Sequence, residues 1–478
     1  MLHTHYIDGA WAAAAESMPN VDPSDTSRVI GDYALGTIGD VEAALAAARA
    51  AFPGWSRSNI QTRFDILDAI GTEILARREE LGTLLAAEEG KTRAEGIGEV
   101  VRAGSIFKFF AGEALRISGD RLASVREGID IELVREPVGI VGIITPWNFP
   151  IAIPAWKIAP AIAFGNCVVF KPAELVPASA WALAEIISRT ALPPGVFNMV
   201  MGRGSELGPA IIAGSNAVTF TGSVETGRSV AANAVQRFAK VQLEMGGKSP
   251  LIVLDDAHLE TAVECAANGA FFMTGQRCTA SSRLVVTEGI HDRFVAALEE
   301  RMRRVRVGPA LDPASEIGPV VDQRQLDQDL RYIGIAEAEG ARRAFGGEVL
   351  ARESDGFFLS PCLLTETRND MRVNREEIFG PVASVIRVRD YDEALAVAND
   401  TPFGLSSGIC TSSLKHATHF RAHSGAGVAM VNLPTSGIDY HAPFGGRKES
   451  SYGPREQGGA AVDFYTVSKT CYTRADCA

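Results

Sequence analysis

The segment FMTGQRCTAS, residues 272–281, sets Cys278 behind a Gly-Gln-Arg turn and ahead of small polar residues. A thiolate there is a nucleophile if a neighbour handles its proton. A lone cysteine serves equally well as a small buried apolar side chain. The adjacent Arg277 would favour the thiolate electrostatically. Glu244 in QLEMGGKSP closes an apolar run and precedes Gly246 and Gly247. A carboxylate at a strand end can point into a cleft, and glycines let other groups approach closely. Burial would raise its pKa into the range useful to a general base. An ordinary strand-end glutamate has the same local sequence. Asn148 in TPWNFP stands between aromatics and prolines that fix its backbone. A rigid amide N–H can stabilise a developing oxyanion, and losing one such donor costs roughly 2.7–4 kcal/mol. An asparagine that merely completes a turn reads alike.

Other nucleophile partners are poorly represented. The eight histidines, at 3, 5, 258, 291, 416, 419, 423 and 441, include none in a cysteine-hydrolase context. Those at 416, 419 and 423 have helical spacing, but no carboxylate or cysteine joins them, so a solvated helix face is expected and no metal site. The seven cysteines, at 167, 265, 278, 362, 410, 471 and 477, contain no CxxC pair. That points to a reducing cytoplasm rather than a disulfide framework.

Two further stretches suit a nucleotide. FTGSVETG, residues 220–227, turns from an apolar strand through Gly222 into a helix whose N-terminus can face a phosphate. It is not GxGxxG and is a weak signal alone. KPAE, residues 171–174, follows another strand, where Lys171 and Glu174 can meet ribose hydroxyls. A carboxylate there favours a free 2′-hydroxyl, hence NAD, with NADP possible.

These residues need a scaffold that brings strand ends together. Between 138 and 247, the apolar runs VGIVGII, NCVVFKP, GVFNMVM, AVTFTGS and VQLEMGG alternate with helical patterns. Strand-helix-strand alternation implies a parallel, doubly wound sheet with ligands beyond the carboxyl ends of its strands. A second α/β pattern begins at SPLIVLDD, with a domain boundary near Gly246-Gly247. Upstream, residues 40–52 place Val41, Leu45, Ala48 and Phe52 on one helical face with Asp40 as cap, and QTRFDILDAIGTEILARREELGTLLAAEEG continues the pattern to Gly90. The 478 residues suffice for two or three domains. A formal charge of −12 opposes a general grip on nucleic acid or an anionic membrane. The start of the chain lacks a signal-peptide pattern. The uncharged stretch 138–156 is long enough to suggest a membrane span, but its three prolines indicate buried core.

The motifs TPWNFP, KPAE, FTGSVETG, LEMGGKSP, GQRCTA, EEIFGPV and PFGGRKESSYG follow one another in the order found in the NAD(P)-dependent aldehyde dehydrogenases, and the chain resembles that superfamily from YIDGAW to its C-terminal segment. The resemblance implies an α/β fold with a Rossmann-type cofactor domain (1–121 and 138–246) and a catalytic domain (247–448). A small β oligomerisation flap and C-terminal segment (122–137 and 449–478) would join subunits into a homodimer or homotetramer, covering strand edges otherwise exposed. Cys278 matches the nucleophile, Glu244 the hydrolytic base, and Asn148 with the Cys278 N–H the oxyanion hole. Lys157 and Glu456 resemble proton-relay groups. The run from PFGG to the Arg455-Glu456 pair is one residue longer than is usual, a departure that bears on Glu456. On the cofactor side the matching positions are Ile144, Thr145, Pro146, Trp147, Lys171, Pro172, Glu174, Phe220, Thr221, Gly222, Ser223, Gly246, Glu377 and Phe379.

Within the superfamily, GQRCTASSRL, IAIPAWKIAP and SSYGPREQG look most like bacterial α-ketoglutaric semialdehyde dehydrogenases. The expected substrate is an aldehyde with a distal anionic group. Arg277 either pairs with that group or makes structural contacts. Phe149, Trp156, Thr279, Ile438 and Phe444 complete the expected pocket. Succinate or glutarate semialdehyde and sulfolactaldehyde have the same features. A CoA-acylating relative would typically lack Glu244, and a non-catalytic scaffold would not need Cys278, Glu244 and Asn148 together.

Overall fold

The structure, a computed structural model, describes residues 2–475; Cys477 and the end of the 449–478 segment lie outside them. The alternating region forms five parallel strands, Ile140–Ile144, Cys167–Lys171, Phe197–Met199, Ala217–Thr221 and Lys240–Glu244. Ile140–Ile144 lies between Cys167–Lys171 and Ala217–Thr221, and the chain winds outward from it in both directions. The crevice at that reversal is the place where doubly wound sheets take ligands. Antiparallel edges, Ser451–Tyr452 on one side and His5–Ile7 with Ala10–Ala12 on the other, extend the sheet to eight strands.

After Glu244 the chain crosses to a seven-stranded sheet, entering at Ser249–Val253. Ser281–Thr287, Val382–Val388 and Ser406–Cys410 surround that strand or its neighbour in parallel. Residues at the carboxyl ends of the first sheet therefore meet residues just ahead of strands in the second. Gly247 N–H donates to Glu377 at 2.8 Å, and the Asn148 amide donates to the Gln276 carbonyl at 3.0 Å.

The helical N-terminal region differs in detail from the sequence reading. Thr37, not Asp40, is the N-cap of Ile38–Trp55; Asp40 is the reciprocal partner in a capping box. The 61–90 pattern is interrupted at Arg77, whose guanidinium is held by Glu80 and Glu185, and it resumes as Arg78–Glu89 before Gly90 ends it at φ +99°. Short strands precede these helices, including the antiparallel pair Glu16–Asp22 and Asp25–Leu35. The stretch 138–156 becomes a buried strand, a turn and the start of the buried helix Ala152–Ala163. Among the described residues no helix is long and apolar enough to cross a membrane.

Ile129–Pro137 pairs antiparallel with Thr466–Arg474 over nine residues, and Asp120–Ala123 adds a third strand. Residues 462–465, read from sequence as part of this sheet, form a helical turn before it, Val462–Tyr465.

Candidate active site

The approach to Cys278 is unusual backbone. Met273, Thr274 and Gly275 adopt successive left-handed conformations at φ +53°, +56° and +65°. Such residues persist only when their surroundings over-determine them. Met273 N–H donates to Glu95 at 2.9 Å, and the Thr274 hydroxyl donates toward the carbonyls of Gly318 and Pro319. A Cβ on Gly275 would come within 2.2 Å of the Gly380 carbonyl, so this position requires glycine. The Gln276 side-chain carbonyl accepts from Val321 N–H at 2.9 Å.

Cys278 emerges partly exposed. Burial, then the carboxylates of Glu377 and Glu244, push its thiol up to about 12, against the opposing pull of the Cys278 and Thr279 N–H groups. The favourable effect expected of the adjacent Arg277 does not offset burial and these two acids.

Asn148 is buried above this loop. One amide N–H holds the Gln276 carbonyl. Its own carbonyl accepts from Lys91 Nζ at 2.8 Å, and Lys91 is also paired with Glu99 at 2.7 Å. The other Glu99 oxygen accepts the N–H groups of Ile151 and Ala152 at 3.0 and 3.1 Å. Lys91, Glu95 and Glu99 were absent from the sequence reading. The available signal was a charged EEGKT run ending one helix, followed by acids on the next.

Glu244 ends its strand almost fully buried, with Ser451 donating to Oε2 at 2.5 Å. Burial first and the Glu456 carboxylate second hold its carboxyl well above the usual range; Ser451, Lys157 and Arg455 oppose them. Lys157 forms a buried ion pair with Glu456 and donates to Thr219 at 2.7 Å. Thr219 in turn contacts Gln242 at 3.0 Å. The four side chains form one polar network beside Glu244, and Glu456 Oε2 has no partner in it.

The nucleotide-type motifs line the crevice at the strand reversal. Ser223 caps Val224–Val235, leaving that helix start directly after Ala217–Thr221, whose Phe220 and Thr221 are buried. Ile144 and Thr145 end the neighbouring strand, Thr145 N–H donates to the Lys171 carbonyl at 3.3 Å, and Pro146 and Trp147 follow. Burial lowers Lys171 to about 8, against the attraction of Glu174. After Pro172 the chain turns so that Glu174 accepts Gly204 N–H at 3.1 Å. Glu377 is pushed up to about 7 by burial. A Cβ on Gly246 would lie 2.1 Å from its Oε2. Phe379, at φ +69°, meets the Trp147 ring edge-on at 5.4 Å.

A family model described as the aldehyde dehydrogenase family matches residues 11–471. The chain belongs to that family. It is 43% identical to the alpha-ketoglutarate semialdehyde dehydrogenase of Haloferax volcanii, over 98% of each chain. It is 39% identical to the alpha-ketoglutaric semialdehyde dehydrogenase of Bacillus subtilis, covering 99% of this chain and 98% of that one. Among solved structures it resembles betaine aldehyde dehydrogenase from Staphylococcus aureus in complex with NAD+, at TM-score 0.97 and 35% identity, covering 99% of this chain and 95% of that one. The mixed α/β fold expected from sequence is the aldehyde dehydrogenase fold.

Of the residues expected to line the substrate pocket, Trp156 and Phe444 pack at 5.6 Å, and Lys91 lies 4.2 Å over the Phe149 ring. Phe444 exchanges two backbone hydrogen bonds with Glu456. The carbonyl of Thr279 accepts from Thr435 at 2.5 Å, and partly exposed Ile438 lies three residues beyond Thr435. Arg277 is buried with its terminal nitrogens on Ser436 Oγ and the Asn268 and Gly269 carbonyls. Those contacts are structural.

Proposed function

We propose that this protein oxidises an anionic semialdehyde, α-ketoglutaric semialdehyde first among candidates, to the carboxylic acid with NAD. The observation that carries the chemistry is the convergence of Cys278, the Asn148 amide and a buried Glu244, whose carboxyl is held above its usual range and so suits a base, between two sheets. The relatives named for α-ketoglutarate semialdehyde support the substrate, and the NAD+-bound neighbour supports the cofactor.

The residues present suit a dinucleotide. The start of Val224–Val235 offers backbone N–H groups to a phosphate, Lys171 and Glu174 flank a ribose site, and Gly246 leaves room beside Glu377. When bound, the nicotinamide supplies the hydride acceptor.

In its ionised form Glu244 takes the Cys278 proton through water and hands it on by way of the Lys157–Thr219–Glu456 network, while the sulfur attacks the aldehyde carbon, forming a thiohemiacetal whose oxyanion meets the Asn148 amide and the Cys278 N–H. Loss of hydride leaves a Cys278 thioester. Glu244 then takes a proton from water as its oxygen attacks the thioester carbon, and the new tetrahedral centre expels the Cys278 thiolate and releases the acid. The Lys157–Thr219–Glu456 network tunes and relays the proton on Glu244.

Within this reading, residues 1–121 and 138–246 form the cofactor domain and 247–448 the catalytic domain. The strands in 122–137 and 449–478 join a cytoplasmic homodimer or homotetramer. The test is the initial rate of NADH formation on α-ketoglutaric semialdehyde, pentanal and betaine aldehyde. A higher kcat/KM for the anionic aldehyde than for the neutral and cationic ones is expected. Equal use of pentanal would remove the semialdehyde assignment.

A further inference from the structure

Arg102 projects from the middle of helix Arg93–Ala114 over Trp156, with its guanidinium 5.7 Å from the centre of that ring. One terminal nitrogen donates to the Ile438 carbonyl and the other to Gln457 Oε1 at 2.9 Å. Both acceptors are neutral. Among the described residues no carboxylate forms an ion pair with this cation; Asp439 and Glu99 act on it only at longer range, and Glu99 is already taken by Lys91.

The surroundings have donors to spare. Because arginine only donates, the Gln457 amide must turn its oxygen to Arg102. That leaves Gln457 Nε2 beside the guanidinium, buried and without an acceptor. Trp156 Nε1 is buried without an acceptor as well. Gln457 directly follows Glu456, whose backbone pairs with Phe444 and whose side chain pairs with Lys157, so these donors stand next to the polar network beside Glu244. A cation with neutral partners, two orphan N–H groups and an aromatic wall is short of one thing, an anionic acceptor.

We propose that Arg102, with the Gln457 amide, binds the distal carboxylate of the substrate, and that Arg277 does not. This rests on the anionic-semialdehyde reading above and names the residue that carries it out. Arg277 gives both terminal nitrogens to Ser436 and two carbonyls and keeps only its buried Nε unpartnered among the described residues, whereas Arg102 is partly exposed. A planar guanidinium over an aromatic ring suits bidentate carboxylate recognition.

The test compares kcat/KM for α-ketoglutaric semialdehyde with that for pentanal, in wild type, Arg102→Leu, Arg102→Lys and Arg277→Lys. A charge-assisted hydrogen bond predicts that the anionic-to-neutral ratio falls roughly 10- to 100-fold in Arg102→Leu, mainly through KM. Arg102→Lys should recover part of it, and Arg277→Lys should leave the ratio near wild type. If Arg102→Leu does not fold, Arg102→Gln is read by the same ratio. An unchanged ratio in the Arg102 variants, with wild type still favouring the anion, overturns this assignment alone. A fall confined to Arg277→Lys also overturns it. A wild type indifferent to the carboxylate overturns the semialdehyde reading as well.

Discussion

Lys157 and Glu456 are buried together, with side-chain exposures of 0% and 1%. Breaking a buried ion pair from one side leaves the survivor desolvated without its counter-charge, at about 3–5 kcal/mol. Glu456→Gln and Lys157→Met should therefore both lower stability, by more than the ~1 kcal/mol of a typical substitution. Their effects on activity should have opposite signs. Glu456 is the larger of the charge effects holding the Glu244 carboxyl up, while Lys157 pulls it down. Glu456→Gln removes the repulsion, so Glu244 loses its proton at lower pH and the acidic limb of thioester hydrolysis moves down. Lys157→Met removes the attraction, so that limb moves up. The assay is the pH dependence of steady-state and burst-phase NADH formation, run beside thermal unfolding of each variant. Purely structural damage would reduce both rates without separating the limbs. Limbs that shift in the same direction, or not at all, would refute coupling of this pair to Glu244.

Two further outcomes follow from the site. Asn148→Ala should cut kcat by about 10²–10³ with little change in KM, because the lost N–H acts on the oxyanion rather than on the resting aldehyde; a change in KM alone would assign Asn148 to ground-state binding. Glu377→Gln should speed alkylation of Cys278 by iodoacetamide in the cofactor-free protein. Glu377 is the larger of the charges opposing the thiolate and is itself pushed up to about 7, so the gain should be clear at pH 8 and slight at pH 6. Equal rates of wild type and variant at pH 8, resolved by mass spectrometry, would contradict the electrostatic account.

What could be read from sequence was local. Glu244, Lys171 and Gly222 each follow an apolar run, and strand ends in a doubly wound sheet are where ligand groups collect. Gly275 and Cys278 share one short turn. The residues that went unread act across long separations. Arg102 meets Ile438 across 336 positions, and Lys91 meets Asn148 across 57. Arg102 lies on helix Arg93–Ala114 and Lys91 in the link just before it, where a charge in or beside an amphipathic pattern looks like any solvated side chain until the partner element packs on it. The pair Glu16–Asp22 and Asp25–Leu35 escaped for another reason: the first strand buries the polar Asn20 and Asp22 and exposes Val21, so its burial does not show as an alternation of apolar residues. Asp40 was recognised as a helix-start residue but not as the reciprocal member of a box begun by Thr37, three residues earlier.

The same reasoning explains why Arg277 drew attention and Arg102 did not. Adjacency to Cys278 in sequence suggested adjacency in chemistry. Yet the terminal nitrogens of Arg277 are taken up by Ser436 and by carbonyls at the end of helix Leu259–Phe271, which leaves only its Nε without a partner among the described residues. In the proposed substrate pocket, Trp156, Phe444 and Gln457 come from remote parts of the chain. A cation that recognises the far end of a short aldehyde must stand several ångströms from the sulfur, so the residue next to the nucleophile is poorly placed for it. Helix Arg93–Ala114 instead brings Arg102 to Trp156, whose neighbour Lys157 belongs to the network beside Glu244.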